Sequence, residues 1–188
     1  YNIMVLEYLG DNLETLFNKC NRKFSLKTVL LIADQMLNNI EYIHQKNYIH
    51  RDIKPKNFVL GIGKRCHIIH MIDFGLAKRF KDLKTGEHIG FRSNKPFIGS
   101  SNFASLNTHK TIEQSRRDDI ESFVFTLIYF LKGSLPWSNI GKSTNKDTKL
   151  QEISHSKEEW NSKKLCEGLP REIKLILDYS RKLKFEEK

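Results

Sequence analysis

The sequence predicts an α+β fold that is predominantly helical and carries short β-hairpins. Apolar residues recur at helical spacing over residues 29–43 and again over 120–131, which predicts two long helices. Short β-rich runs at 58–60 and 68–72, separated by glycine-containing turn residues, predict a hairpin between them. With 188 residues, 39% of them hydrophobic and 11% aromatic, the chain can bury one sizeable core. We therefore expect a single folded domain or part of one.

For the first half of the chain, the sequence predicts a strand, a helix and a hairpin. Residues 1–9 form an apolar-rich run that is typical of a buried strand, and Gly10-Asp11-Asn12 is a turn signal. Ser25 can cap the first long helix, which we expect to stop near Lys46-Asn47. The hairpin turn is Gly61-Ile62-Gly63-Lys64. A phosphate-binding loop is the alternative there, but the spacing of either glycine-rich motif is incomplete and no helix follows.

The second half alternates between irregular stretches and helices. Residues 76–111 are rich in glycine, lysine and serine and show little periodicity, and such long segments are usually functional or disordered. The most hydrophobic helix covers 118–131 and is broken by residues 133–137. We expect residues 138–148 to be polar and mobile, and a final helix to begin after Leu169-Pro170.

Charge and cysteine content narrow the class of protein. The net charge is +10, but the lysines are spread along the chain without a dense basic stripe, so nucleic acid is disfavoured as a partner. A basic surface also attracts acidic or phosphorylated proteins. Cys20, Cys66 and Cys166 form no C-x-x-C pair, which disfavours a zinc site or a disulfide framework. Without a membrane-length apolar run or a signal-peptide pattern, we expect a monomeric intracellular protein in the cytoplasm, the nucleus or both, with no membrane partner.

Two short motifs carry the candidate chemistry. His50-Arg51-Asp52-Ile53-Lys54-Pro55-Lys56-Asn57 matches the pattern H-R-D-x-x-x-x-N, and Asp73-Phe74-Gly75 follows one hairpin later as D-F-G. Phosphoryl transfer from ATP requires a carboxylate at the attacking hydroxyl and oxygen ligands that hold Mg²⁺ on the phosphates. Asp52 suits the first task, and Asn57 with Asp73 suits the second. Either aspartate alone would more often be a turn residue or a helix cap. The joint spacing favours catalysis.

These motifs resemble those of eukaryotic protein kinases, and further stretches resemble one branch, the casein kinase 1 family of serine/threonine kinases. The stretches are residues 24–36, 112–119 and 133–137, together with Ala104-Ser105-Leu106-Asn107, which stands where most kinases carry A-P-E. The resemblance covers essentially the whole chain. It implies a protein-kinase-like fold, ATP and Mg²⁺ as cofactors, and protein substrates that are acidic or phosphorylated.

The resemblance also implies roles for residues around the motifs. Asp52 would accept or orient the proton of the attacking hydroxyl, and Lys54 would neutralise charge on the transferred γ-phosphoryl group. His50 would hold the loop through hydrogen bonds, and Asp119 would anchor the loop backbone. The residues expected around the nucleotide base are Leu6 at the back of the pocket, Glu7, Tyr8 and Leu9 in the hinge, and Val59 and Ile72 in the apolar floor. Plain strand core is the other interpretation of these apolar residues, and the two are compatible because a pocket wall is apolar.

Basic residues are expected to bind anions. By resemblance, Arg51, Lys78 and Lys95 match a cluster that can bind an anion near the activation segment, and Lys149 matches a lysine that reads a phosphate already on the substrate. Asn102 stands where the family has an arginine. Loss of a bidentate phosphate donor predicts a weaker dependence on pre-phosphorylated substrates.

The sequence shows no G-x-G-x-x-G loop before the hinge, no V-A-I-K lysine and no partner glutamate helix. We therefore expect a partial kinase domain, with the hinge at 6–10, the large lobe at 11–188 and a C-terminus that stops before the lobe finishes. Such a chain should be inactive or nearly so by itself. The alternative is a non-catalytic, pseudokinase-like interaction module, which the intact motif residues disfavour. A nucleic-acid-binding protein is a third reading, based on charge alone, and would show steep salt dependence.

Overall fold

The computed structural model describes residue 3, residues 5–140 and residues 145–187. Within those ranges the helices are α1 (Leu13–Lys19), α2 (Leu26–Gln45), α3 (Leu106–His109), α4 (Arg116–Lys132), α5 (Lys146–Glu159), α6 (Ser162–Leu165) and α7 (Arg171–Lys182). The strands are β1 (Tyr48–Ile49), β2 (Phe58–Leu60), β3 (Ile69–Met71) and β4 (Lys78–Arg79). The prediction of a mostly helical α+β fold with short hairpins is confirmed. None of the described helices combines the length and apolar character needed to cross a membrane.

Helix α4 forms the centre of the core. Asp118, Asp119 and residues 121–130 are all buried on it, so the helix is enclosed on every side rather than along one stripe. A hydrogen bond from the Ser115 N–H to the Asp118 carboxylate, which is one half of a capping box, fixes where it begins. Helices α2 and α7 pack against it. The predicted cap of α2 is also present, because Ser25 Oγ accepts a hydrogen bond from the backbone N–H of Thr28 at 3.1 Å.

Two small antiparallel ladders bring the sequence motifs together. Strand β1 pairs with β4, and β2 pairs with β3. The H-R-D loop connects β1 to β2, and the D-F-G turn connects β3 to β4. Both motifs therefore lie at the same end of the two ladders, where each can contact the other.

The prediction of a buried strand over residues 1–9 is wrong for the residues that the structure describes; residues 1, 2 and 4 lie outside them. Ile3, Val5, Leu6 and Tyr8 are between 69% and 90% exposed, and no strand is formed there. The run is linked to the rest of the described chain by an exposed ion pair between Glu7 and Arg65 at 3.1 Å and, directly after it, by the hydrogen bond from the Gly10 N–H to the Leu60 carbonyl at 2.8 Å. Apolar residues are buried when another surface covers them, and no element in the described ranges covers this run.

The sequence does not predict helix α1, because Gly10-Asp11-Asn12 indicates only a turn. Asn12 is in fact the N-cap of α1, and its Oδ1 accepts the N–H of Thr15 at 2.9 Å. The helix has seven residues, too few for a clear periodic pattern, and it is fixed by the buried side chains of Leu13 and Phe17.

The sequence predicts a polar, mobile segment at 138–148 and no helix there, whereas the structure has a helix that begins within it. Residues 141–144 lie outside the described residues, but α5 begins at Lys146 with Asn145 as its N-cap. Few apolar residues lie on α5, and Ile153 is the one that is fully buried. A helix with so polar a surface gives no periodic signal in the sequence, which explains the error.

Candidate active site

The H-R-D loop is held by a buried carboxylate on α4. Asp119 Oδ2 accepts the backbone N–H of His50 at 2.8 Å, and Oδ1 accepts that of Arg51 at 2.9 Å. His44 Nε2 lies 2.8 Å from Oδ2 as well. Burial by itself would raise the pKa of Asp119, but His44 and the two backbone donors hold it below its ordinary value. Asp119 thus lies where the resemblance implies an anchor for the loop backbone.

Asp52 is buried and hydrogen-bonded on one side only. Lys54 Nζ donates to Asp52 Oδ2 at 2.5 Å and to Ser100 Oγ at 3.0 Å. Asn57 Nδ2 donates to the Asp52 carbonyl at 2.9 Å and to Oδ2 at 3.2 Å. Among the described atoms, Asp52 Oδ1 is buried and has no hydrogen-bond partner. Because buried polar atoms are almost always paired, this oxygen is suited to accept a proton or hydrogen bond from a bound molecule.

The peptide of Ile72 links the two motifs. Its N–H donates to the Asn57 carbonyl at 2.9 Å, and its carbonyl lies 3.1 Å from His50 Nε2. The N–H of Asp52 donates to His50 Nδ1 at 3.3 Å, so Nε2 is the ring nitrogen that carries the proton donated to Ile72. His50 therefore holds the loop by hydrogen bonds. It also places Asp73, the next residue, beside the loop.

Asp73 and Asn57 offer oxygen atoms suited to a hard cation. Asp73 adopts a left-handed conformation with φ of 63° and is exposed, and its Oδ1 accepts the N–H of Gly75 at 3.4 Å. The amide nitrogen of Asn57 is committed to Asp52, so Asn57 Oδ1 is the atom of that side chain that could face a cation. Mg²⁺ commonly takes one or two protein oxygens and completes its shell with phosphate oxygens and water. This pair fits that use.

The residues expected around the nucleotide base are only partly brought together. Val59 is buried in β2, and Ile72 is half-buried after β3. Leu6 and Tyr8 are exposed, and Leu9 is half-buried. Glu7 forms an exposed ion pair with Arg65 at 3.1 Å. After this segment, the Asp11 carbonyl accepts the N–H of Leu60 at 3.0 Å, which attaches the chain to β2 next to Val59.

The expected anion cluster contains a carboxylate that sequence reasoning did not assign. Lys78 Nζ lies 2.8 Å from Glu113 Oε1, and Lys95 Nζ lies 3.5 Å from Oε2. Arg51 Nε donates instead to the Leu76 carbonyl at 2.6 Å. Burial would raise the pKa of Glu113, but the two lysines hold it below its ordinary value. An anion entering the cluster would compete with Glu113 for both lysines. In the sequence, Glu113 was indicated only by its place within residues 112–119, one of the stretches that carry the family resemblance.

The other two residues named for substrate phosphate lie on different elements. Lys149 is half-buried in the first turn of α5. Asn102 lies in the segment after Gly99, and its carbonyl accepts a hydrogen bond from Trp137 Nε1 at 2.7 Å. The structure therefore gives Asn102 a backbone contact with the core.

The segment that follows Gly99 contacts the H-R-D loop and is anchored by a second aspartate. Gly99 has φ of 119°, and a Cβ there would lie 2.7 Å from the Arg51 carbonyl. Asp118 Oδ1 accepts from Ser105 Oγ at 2.6 Å and from Asn107 Nδ2 at 3.2 Å. Its Oδ2 accepts the N–H of Ser115 at 2.7 Å, as the capping box requires. Burial raises the pKa of Asp118 to about 6, and the charge of nearby Glu121 also raises it.

These side chains can position a hydroxyl, neutralise a phosphoryl group and hold a divalent cation within one loop and one turn. A comparison with known families agrees with that chemistry. The family model described as the protein kinase domain matches residues 1–183.

Proposed function

Since this chain belongs to the protein kinase family, we propose that it carries the phosphotransfer site of a serine/threonine kinase of the casein kinase 1 type. The observation that carries the proposal is the buried, unpartnered Oδ1 of Asp52 beside Lys54. Lysine at position 54 and the Ser105-Leu106-Asn107 sequence support the narrower assignment by resemblance.

The proposed reaction uses Asp52 as the proton acceptor. A serine or threonine hydroxyl donates to Asp52 Oδ1, its oxygen bonds to the γ-phosphorus of ATP, and the bond from that phosphorus to the β-phosphate oxygen breaks. The proton passes to Asp52, and ADP leaves. Asp52 Oδ2 is already held by Lys54 and Asn57, so the carboxylate is oriented before substrate arrives. The ammonium of Lys54 neutralises charge on the transferred group.

Asn57 and Asp73 are proposed to hold Mg²⁺. A bound Mg²⁺ neutralises phosphate charge in phosphoryl transfer. The chain's contribution is to fix the two oxygens relative to Asp52, which it does through the Ile72 peptide. We further propose that the backbone of Glu7, Tyr8 and Leu9 binds adenine. The side chains proposed to contact the base are Leu6, Val59 and Ile72.

The proposed substrates are acidic or phosphorylated proteins. Arg51, which Gly99 approaches closely, and the neighbouring Lys78 and Lys95 supply positive charge, although Glu113 offsets part of it, and Lys149 on α5 adds a further cation. Asn102 in place of arginine supports a weaker requirement for a pre-existing phosphate. We also propose a hinge at residues 6–10 with the large lobe beginning at 11, and a monomer acting in the cytoplasm or nucleus.

The test compares the protein with its Asp52→Asn variant, each produced in the cells that naturally express the protein. Each is isolated with an antibody against an internal peptide and given ATP, Mg²⁺ and acidic peptides whose acceptor is serine, threonine or tyrosine. We expect transfer to serine and threonine, reduced by about 10²–10⁴-fold in the variant. Equal transfer by both proteins would refute the role of Asp52. Transfer to tyrosine alone would refute the serine/threonine assignment.

A non-catalytic interaction module is the second candidate, because Ile3, Val5, Leu6 and Tyr8 expose apolar surface that a partner could cover. That candidate predicts no transfer in the same assay from either protein. It also predicts that partner proteins recovered with the chain are unchanged by Asp52→Asn.

A further inference from the structure

A lysine outside the motifs is fully buried beneath the segment that follows Gly99. Lys157 lies on α5 and has no exposed surface. It is the one lysine among the largest fully buried side chains in the part of the chain that the structure describes. Lysine side chains are rarely buried completely unless they are paired, so its contacts call for an explanation.

The Lys157 ammonium is directed at backbone carbonyls. Nζ donates to the Ser101 carbonyl at 2.8 Å and to the Ala104 carbonyl at 2.6 Å. His109 Nε2 lies 3.1 Å from the same nitrogen. The rings of Phe125 and Trp137 each lie 5.1 Å from it, so the remaining faces are aromatic. Lys157 has no direct ion pair among the described residues.

Burial of this group costs free energy. Burial lowers the pKa of Lys157 well below its ordinary value; the charge of Glu121 opposes that shift and Arg181 adds to it. Glu121 is itself paired with Arg181 at 2.9 Å. The carbonyls of Ser101 and Ala104 would lose this donor if the amine were absent. The stabilising effect of Lys157 is therefore exerted on the turn, through those two carbonyls.

The turn that Lys157 contacts, residues 100–104, is hydrogen-bonded to Lys54 through Ser100. Residues 100–104 close on themselves, because the N–H groups of Phe103 and Ala104 donate to the Ser100 carbonyl at 2.9 and 2.8 Å. The same Ser100 accepts from Lys54 through its hydroxyl. Lys157 and Trp137 both donate hydrogen bonds to carbonyls of this turn. A shift of α5 would therefore displace the turn and with it Ser100.

We propose that Lys157 is a positioning residue for phosphotransfer, which holds the 100–104 turn so that Ser100 keeps Lys54 beside Asp52. The inference rests on the proposed function, because Lys54 and Asp52 have their roles there. It assigns to α5, an element with no catalytic motif, control over the geometry of the catalytic lysine. The path runs from Lys157 through two carbonyls and one hydroxyl.

The experiment is a double-mutant cycle between Lys157 and Ser100. Peptide phosphorylation is measured for wild type, Lys157→Met, Ser100→Ala and the double variant, each isolated from the cells as in the Asp52→Asn assay, together with KM for ATP and the urea unfolding curve. Methionine is unbranched like lysine and only one atom shorter, and it removes the donors. We expect Lys157→Met to lower kcat/KM for peptide by about 100-fold, the scale of a 1 Å misplacement, with KM for ATP unchanged. Ser100→Ala should add little to the effect of Lys157→Met.

The controls separate this inference from the function on which it rests. Lys163→Met, an exposed lysine on α6, should leave transfer unchanged. If Lys157→Met does not fold, the cycle is repeated with Lys157→Gln, whose amide can still donate to one carbonyl. Additive effects of the two substitutions, or full activity of a folded Lys157 variant, would overturn the inference. Transfer that survives Asp52→Asn would instead overturn the proposed function.

Discussion

The H-R-D loop, which is the proposed catalytic loop, and the segment after Gly99 are held by neighbouring aspartates on the first turn of α4, and the two anchors differ electrostatically. Asp119 receives two backbone N–H groups and His44, and its pKa is lowered. Asp118 receives a hydroxyl, an amide and one backbone N–H, faces Glu121, and has its pKa raised to about 6. Both are almost completely buried. The donors around a buried carboxylate, and not burial alone, decide the direction of its pKa shift.

The two anchors should respond differently to a change in pH. The catalytic loop is attached to a carboxylate that stays ionised across the neutral and mildly acidic range, because its pKa lies below the ordinary value of 3.8. The segment after Gly99 is attached to a carboxylate that titrates near pH 6. We therefore expect acidification to alter the anchor of the second region while the first keeps its own.

The largest expected effect is that of Asp119→Asn. An asparagine can offer only one oxygen to the three donors that surround it, and its NH₂ group would face a backbone N–H or His44. We expect the free energy of unfolding to fall by about 3–5 kcal/mol, as when one partner of a buried charged network is removed. Urea unfolding at pH 7 measures this. A loss as small as that of a surface substitution would show that the anchor is not needed for stability.

The second prediction concerns His109, which lies beside Lys157 under the second region. Burial and the charge of Lys157 lower the pKa of His109 from 6.5 to about 4. The unfolded chain therefore binds a proton that the folded chain does not, and stability is lost as the pH falls from 6.5 to 4. At about 1.4 kcal/mol per pKa unit, the loss reaches about 3 kcal/mol. His109→Gln should gain that amount relative to wild type between pH 7 and pH 4, measured by urea unfolding. A constant difference would contradict the assignment.

The third prediction concerns Asp118→Asn, whose effect has the opposite pH dependence. The pKa of Asp118 is raised from 3.8 to about 6, so its contribution to stability is fully present below 3.8 and is lost as the pH rises through 6. Asparagine removes that dependence. The wild type should therefore exceed the variant most at pH 4, and its advantage should shrink by up to about 3 kcal/mol by pH 7. Thermal melts across this range would show it, and a growing advantage would contradict it.

Together the last two predictions sharpen the comparison between the regions. His109 and Asp118 act over nearly the same pH interval with opposite signs, so their contributions to the wild type partly cancel. In each single variant, the change of unfolding free energy with pH should come mainly from the group that remains. Asp119 differs from Asp118 in its partners, which are His44 and two backbone N–H groups.

The sequence predicted the parts of the fold that have strong periodicity. Helices α2, α4 and α7 and the β2–β3 hairpin were all expected from apolar spacing and turn residues. Helices α1 and α5 were missed because one is short and the other is polar. The apolar run at residues 1–9 gave the wrong burial, since hydrophobicity shows that a segment can be buried but not that a covering surface is present.

The residues of the candidate site also fall into those that the sequence predicted and those that it did not. Motif spacing identified Asp52, Asn57 and Asp73, because the chemistry fixes residue type at fixed separation. Spacing gave no indication of Ser100 or Lys157, whose contacts join residues 46 and 53 or more positions apart. A buried lysine is indistinguishable in sequence from the exposed lysines around it. Contacts of that range depend on tertiary packing, which a local pattern does not encode.

The close approach of Gly99 to the catalytic loop sets a limit on sequence variation. In a library that tests every amino acid at every position, we expect position 99 to tolerate glycine alone, because any Cβ would collide with the Arg51 carbonyl. Gly90, in the same irregular stretch, has open space around it and should accept most residues. Two glycines nine positions apart would thus give opposite mutational profiles. The profile at 99 would mark, from variation alone, where the two loops meet.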